Sequence, residues 1–213
     1  MSMSDSQIYD PLDYKNLTIN LVRELMSRGP YTLPLTEPVK GPGVYALFYN
    51  GDFKPYRKSC SPDAVQPIYV GKAVLAGARK GGGVPGAPVG APLFGRIKEH
   101  VQSIQAAQNL KIEDFSCRYL VVVPLWITMA ERFLLEHYRP VWNVCIEGFG
   151  LHDPGKGRRE GENSWWDSLH QGRHWAALQR QTRKQEDALE RLKMYYAAGA
   201  KGWKPKEVDS EEE

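Results

Sequence analysis

Gly43-Val-Tyr-Ala-Leu-Phe-Tyr49 is rich in aromatic and other strand-forming side chains and stops at Asn50-Gly51, a dipeptide that suits the two-residue turn of a hairpin. It predicts a strand and a second strand after the turn. The next clear one, Pro67-Ile-Tyr-Val-Gly71, follows an irregular stretch holding Cys60, Ser61 and Pro62, and we pair it antiparallel with the first. Upstream, Tyr14, Leu17, Leu21 and Leu25 recur at helical spacing within Tyr14–Met26. Pro30, Pro34, Pro38 and Pro42 then make 29–42 an extended connector. Downstream, Leu93, Phe94, Ile97, Val101 and Ile104 mark a helix with one buried face to about Ala107. Phe115 to Pro124 reads as a third strand, and Trp126 to Tyr138 as a second core helix closed by Pro140. This order predicts an α/β (α+β) sandwich: a small antiparallel three-stranded core sheet flanked by helices, with an N-terminal helix and a C-terminal helical extension.

The chain of 213 residues, 42% hydrophobic, is long enough for one ordinary core. We divide it into 1–42, helix and connector; 43–147, a core with inserted loops at 50–66 and 77–92; and 148–213. The second loop holds six glycines and three prolines and predicts a flexible surface segment that only a partner would order. Residues 148–176 are rich in glycine, arginine, histidine and tryptophan, and a charged helix is expected from about Trp175 to Ala198. The formal charge of +3 averages this against the tail EVDSEEE (207–213), whose five carboxylates leave the remainder at about +8. That suits a polyanionic partner without requiring one. Cys60, Cys117 and Cys145 form no zinc-ligand spacing and read as buried thiols in a reducing compartment. No run approaches the ~18 apolar residues of a membrane span, so we expect an intracellular, cytoplasmic protein with no membrane partner.

Four groups stand out in order: Gly43-Val-Tyr45; Tyr69-Val-Gly-Lys72; Arg96 with His100 one helical turn on; and Glu131, Pro140 and Asn143 within ERFLLEHYRPVWN. In this order they resemble the GIY-YIG nuclease superfamily over residues 43–143, and the glycine-, arginine- and tryptophan-rich stretch after Asn143 resembles that of its type II restriction endonucleases that recognise CCGCGG. The Glu–Pro–Asn intervals of nine and three residues are similar to those of the family's excision-repair branch, and that resemblance selects Glu131 over Glu136. Two departures are longer connections: 23 residues separate the tyrosine tripeptides, and the glycine-rich loop lengthens the gap before Arg96.

The resemblance implies hydrolysis of a phosphodiester by in-line attack of water. Glu131 would anchor one Mg²⁺, or Mn²⁺ in its place, as a lone carboxylate that leaves the ion most of its waters. Arg96 would meet the charge growing on the phosphate. Tyr45 would be the general base, a role open to a phenol of pKa ~10 only beside a cation, for which Lys72 is a candidate. Tyr69 would assist, His100 would take the proton onward or bind phosphate, and Asn143 would orient a neighbour or satisfy backbone groups. Lys156, Arg158, Arg159, Arg173 and His174 in the extension, with Arg79 and Lys80 in the glycine-rich loop, are expected to touch double-stranded DNA. Arginine on guanine is the commonest specific contact. Cutting both strands of a palindrome calls for a homodimer on DNA. The alternatives are a structure-specific repair or homing-type nuclease, disfavoured because no helix-turn-helix, zinc finger or helix-hairpin-helix signal is present, and a non-catalytic DNA-binding protein, disfavoured because the tyrosines, Arg, Glu and Asn are all there.

Overall fold

The computed structural model describes residues 12–75, 90–153, 155 and 160–204. Its elements are α1 (Tyr14–Met26), β1 (Tyr31–Thr32), β2 (Gly43–Tyr49), β3 (Tyr69–Ala73), α2 (Pro92–Ala106), β4 (Phe115–Val121), α3 (Ile127–Tyr138), α4 (Val141–Val144), α5 (Trp165–Leu169) and α6 (Gln185–Ala198). The sheet is antiparallel with strand order β1-β4-β2-β3. It therefore has four strands, not three. The extra one comes from the proline-rich connector, where Tyr31 pairs with Cys117 and stacks on Tyr119 at 4.7 Å between ring centroids.

Helices cover both faces of the sheet, which is why β2 is apolar at successive positions and buried throughout. Val44, Ala46 and Phe48 face α1 and α3 through Leu25, Ile127, Ala130 and Leu134. Tyr45, Leu47 and Tyr49 face α2 through Leu93, Ile97, Val101 and Ile104. Phe149, Trp166, Leu169, Leu192 and Trp203 of the C-terminal part belong to this second cluster. The motif glycines permit close approach. A Cβ on Gly43 would lie 2.0 Å from the Leu120 carbonyl oxygen, and one on Gly71 would lie 2.4 Å from the Tyr45 hydroxyl.

Three expectations need correcting. Asn50-Gly51 does not make a tight hairpin: the chain winds into 3-10 turns at Lys54–Ser59 and bridges Tyr49 to Cys60 before β3 pairs antiparallel with β2 as expected. The reason is Tyr56, fully buried, whose hydroxyl accepts from Trp142 Nε1 at 2.7 Å and bonds His170 Nε2 at 2.5 Å. The charged helix begins at Gln185 rather than Trp175, because the intervening chain makes a short 3-10 turn and then bridges back from Arg180 to Glu162. Cys60 is only half-buried, unlike Cys117 and Cys145. Among the described residues no helix is long and apolar enough to cross a membrane.

His170 Nδ1 also bonds the Asn109 side-chain oxygen at 2.7 Å, so both ring nitrogens are occupied. Burial first, then Arg173, lowers its pKa to about 3. Its folded value thus lies below its unfolded value of ~6.5, and the unfolded chain takes up the proton first as pH falls. We predict that stability is lost from pH ~6.5 downward, His170 contributing about 1.4 kcal/mol per unit until its folded pKa is reached. Melting temperature against pH should show this slope. His170→Gln should be less stable at pH 7 but give a flatter profile; an equally steep one assigns the slope to other groups.

Candidate active site

A cleft of about 500 Å³ opens beside β3, and its lining includes Tyr45, Tyr69, Lys72, Arg96, Glu99, Glu131 and His152. Side chains from both faces of the sheet meet there because β3 is an edge strand. Tyr45 lies opposite Gly71 in the β2–β3 register, and Tyr69 opposite Leu47. The tyrosines share one face, with ring centroids 6.3 Å apart. Lys72 alternates to the other face and reaches α3, where its Nζ lies 2.8 Å from Glu131 Oε2 and 3.4 Å from Thr128 Oγ1.

α3 ends where Arg139 adopts a left-handed conformation (φ 46°) and Pro140 starts α4. That turn carries Asn143 to the outer edge of β3. Its carboxamide donates to the Val70 carbonyl and accepts from the Val70 amide, both at 2.8 Å. These are the two backbone groups that β3 turns away from β2, so Asn143 acts as a one-residue strand partner.

Tyr45 is fully buried and its hydroxyl forms a 2.6 Å hydrogen bond with His100 Nε2. His100 is 2% exposed and stacks on Phe149 at 4.4 Å. A phosphate contact by His100 is therefore corrected: its ring faces Tyr45 and Phe149, not solvent. Burial pushes Tyr45 well above the usual phenol range, with Tyr69 adding to it and Arg96 pulling the other way. The cation beside Tyr45 is thus Arg96, while Lys72 is held by Glu131. Burial also drives His100 well below the usual imidazole range, helped by Arg96, His152 and Arg173. Both members of the pair are neutral.

Arg96 lies on α2 with 19% of its side chain exposed. Its Nη1 donates to Glu99 Oε2 at 2.8 Å and to His152 Nδ1 at 3.2 Å, and its Nη2 to the Gly150 carbonyl at 2.6 Å. The segment after Phe149 thus closes over the arginine. His152 was not anticipated from the sequence, where it is one histidine in a glycine-rich stretch with no spacing to the motifs. Only the fold brings it to Arg96.

Arg173 also needs correcting. It is 5% exposed, forks onto Asp167 with Nε and Nη2 each at 2.7 Å, and donates to the carbonyls of Gly148, Phe149 and Leu151. Its guanidinium lies 4.5 Å from the ring centroids of both Trp166 and Trp175. With its donors so committed it holds the segment that covers Arg96 and is not available to a base edge. His174 is exposed and lines a second hollow of about 300 Å³ that shares Arg96, Glu99 and His152 with the cleft. Arg79, Lys80, Lys156, Arg158 and Arg159 lie outside the described residues.

A family model described as the Eco29kI GIY-YIG domain matches residues 37–195, well over half of the chain. The chain belongs to that family. This GIY-YIG protein is accordingly a DNA-binding hydrolase, an endonuclease of restriction systems, and such nucleases depend on divalent metal. No curated protein matched it. Among the described residues no cluster of three or more His, Cys, Asp or Glu could hold an ion. The donor set still fits a hard cation that keeps most of its waters, because Glu131 offers a carboxylate on the wall of a roomy cleft.

We predict that Arg173→Ala destabilises the protein by about 3–5 kcal/mol, since it leaves Asp167 charged and buried, with the urea midpoint as the measure. A stable Arg173→Ala with altered site preference would overturn this and return Arg173 to base reading. Asn143→Ala should lower stability by about 1–3 kcal/mol by leaving the Val70 amide and carbonyl unpaired. Amide exchange at Val70 should rise with it; unchanged protection would mean that water replaces the brace.

Proposed function

We propose that this GIY-YIG endonuclease is a type II restriction enzyme that cuts double-stranded DNA at a short GC-rich palindrome, CCGCGG, with Mg²⁺ or Mn²⁺, acting as a homodimer on the DNA. The observation that supports it most is the convergence of Tyr45, Tyr69, Lys72, Arg96 and Glu131 on one cleft from four different elements. We assign catalysis to 43–147 and recognition to 148–213.

Glu131 would hold the divalent cation, which supplies positive charge at the scissile phosphate and the leaving oxygen. Arg96 leaves Glu99 for the phosphate and meets the charge that grows as water attacks. With His100 protonated on Nδ1, Tyr45 donates to Nε2 and accepts the proton of the attacking water while passing its own inward. This relay answers the high pKa of Tyr45: the phenol never needs to exist as a free phenolate. Tyr45 has no exposed surface, so the relay requires the cover from Gly150 to His152 to shift when DNA binds. Arg96 is the cation closest to His100 in effect, and a phosphate on Arg96 lessens the penalty of an imidazolium there. Tyr69 packs beside Tyr45, His100 and Phe149 and keeps Arg96 and Tyr45 in place. Asn143 positions β3.

Plasmid digestion with and without Mg²⁺ tests the reading, discrete bands being expected and random nicks pointing to a structure-specific nuclease. Glu131→Gln should cut at least ~100-fold more slowly while binding DNA nearly as well, and Tyr45→Phe and His100→Ala should each lose ~10²–10⁴-fold. A fully active Tyr45→Phe would remove the relay. For recognition we assign base contacts to Arg158 and Arg159, with Lys156, Arg79, Lys80 and His174 on phosphates. Arg158→Ala should relax discrimination at one base pair by ~1–3 kcal/mol in a randomised-site library. A uniform loss across all sequences would make it a phosphate contact.

A further inference from the structure

Within the cleft the carboxylate we assign to the cation already has a partner. Lys72 Nζ sits 2.8 Å from Glu131 Oε2, the two side chains 31% and 22% exposed, and Thr128, one turn earlier on α3, lies within 3.4 Å of the same ammonium. The other acid lining the cleft, Glu99, is taken by Arg96 at 2.8 Å. Each of the two carboxylates lining the cleft is therefore already paired with a cation of the same cleft.

We propose that Lys72 is an intramolecular competitor for the cation site, holding Glu131 until a divalent ion displaces it. The inference rests on Glu131 being the cation anchor. A lysine is suited to such an exchange. Its charge is compact, and its four-carbon stem can swing the ammonium away while β3 stays fixed by Asn143. A divalent ion arriving alone must take Glu131 from Lys72 and leave two positive groups side by side in a half-buried cleft. A phosphate arriving with the ion gives the ammonium a second anion to pair with, so the displacement that opposes lone metal binding ceases to oppose it. Cation and DNA then favour one another, and by reciprocity each raises the affinity of the other by the same factor. The pairing also keeps the free enzyme from holding a charged metal centre where no substrate is present.

The test needs neither DNA nor turnover. Mn²⁺ binding to the full chain is followed by electron paramagnetic resonance for wild type, Lys72→Met, Lys72→Gln, Lys72→Arg and Glu131→Gln, each first shown by circular dichroism to melt cooperatively. Removing the ammonium should tighten Mn²⁺ binding on the order of 10-fold in both neutral variants, within the span usual for coupled sites. Lys72→Arg, which keeps the charge, should bind like wild type, and Glu131→Gln should abolish the site. If both neutral variants bind Mn²⁺ no more tightly than wild type while Glu131→Gln abolishes binding, the competition is overturned and the cation anchor stands. If Glu131→Gln binds Mn²⁺ as wild type does, the anchor itself is wrong and the competition falls with it.

Discussion

The Asn143 carboxamide lies along the outer edge of β3 and makes both hydrogen bonds that Val70 cannot make to β2. β3 is five residues long and borders the cleft, so its backbone would otherwise be the least restrained part of the site. It also carries Tyr69 on one face and Lys72 on the other, and its Gly71 leaves space for the Tyr45 hydroxyl. A small shift of this strand would move three groups at once. The same brace reaches Glu131, because α3 runs through the left-handed Arg139 and Pro140 into the turn that bears Asn143. The interval from glutamate to proline to asparagine is thus a length of helix plus one turn that sets Glu131 beside Lys72 while Asn143 is anchored on Val70.

Electrostatics in the cleft follows from how much of it is dry. Tyr45 and His100 are neutral because burial disfavours phenolate and imidazolium alike. The charged groups sit at the wetter rim and are matched one to one, Lys72 with Glu131 and Arg96 with Glu99. Partly exposed pairs of this kind contribute little to stability, which makes them easy to exchange for substrate and metal. The buried pair, Arg173 with Asp167, is 4% exposed on both sides, costly to break from one side, and lies behind the segment that covers Arg96. Firm pairing behind thus holds the cover at its base through Arg173, while the pairs in front, at the rim of the cleft, are the weaker ones.

The core of this arrangement was legible in the chain. The register that puts Tyr45 and Tyr69 on one face follows from alternation in two adjacent strands, and Arg96 with His100 from helical spacing. What resisted reading depends on contacts between remote segments. Tyr31 joins the sheet by stacking on Tyr119, which a two-residue strand among prolines does not advertise. Tyr56 turns a hairpin signal into 3-10 turns because its hydroxyl finds Trp142 and His170, 86 and 114 residues away. Arg173 looked like a DNA contact because arginine among glycines and tryptophans on a surface would be one. The fold instead buries it between Trp166 and Trp175, and no local pattern distinguishes a guanidinium stacked on indoles from one stacked on bases.

The long connection between the two tyrosine tripeptides shows why such insertions leave the site intact. Register between β2 and β3 is set by their backbone ladder, from Gly43 opposite Ala73 to Leu47 opposite Tyr69, and a slip of one residue would turn Tyr69 to the wrong face. The length of the connection does not enter that condition. Closing a longer loop adds only about 0.6 kcal/mol per doubling, and here the inserted chain contributes Tyr56 to the core and Ser59 to a hydrogen bond with Tyr196 of α6. The insertion therefore fastens the C-terminal part to the face of the sheet that carries the tyrosines.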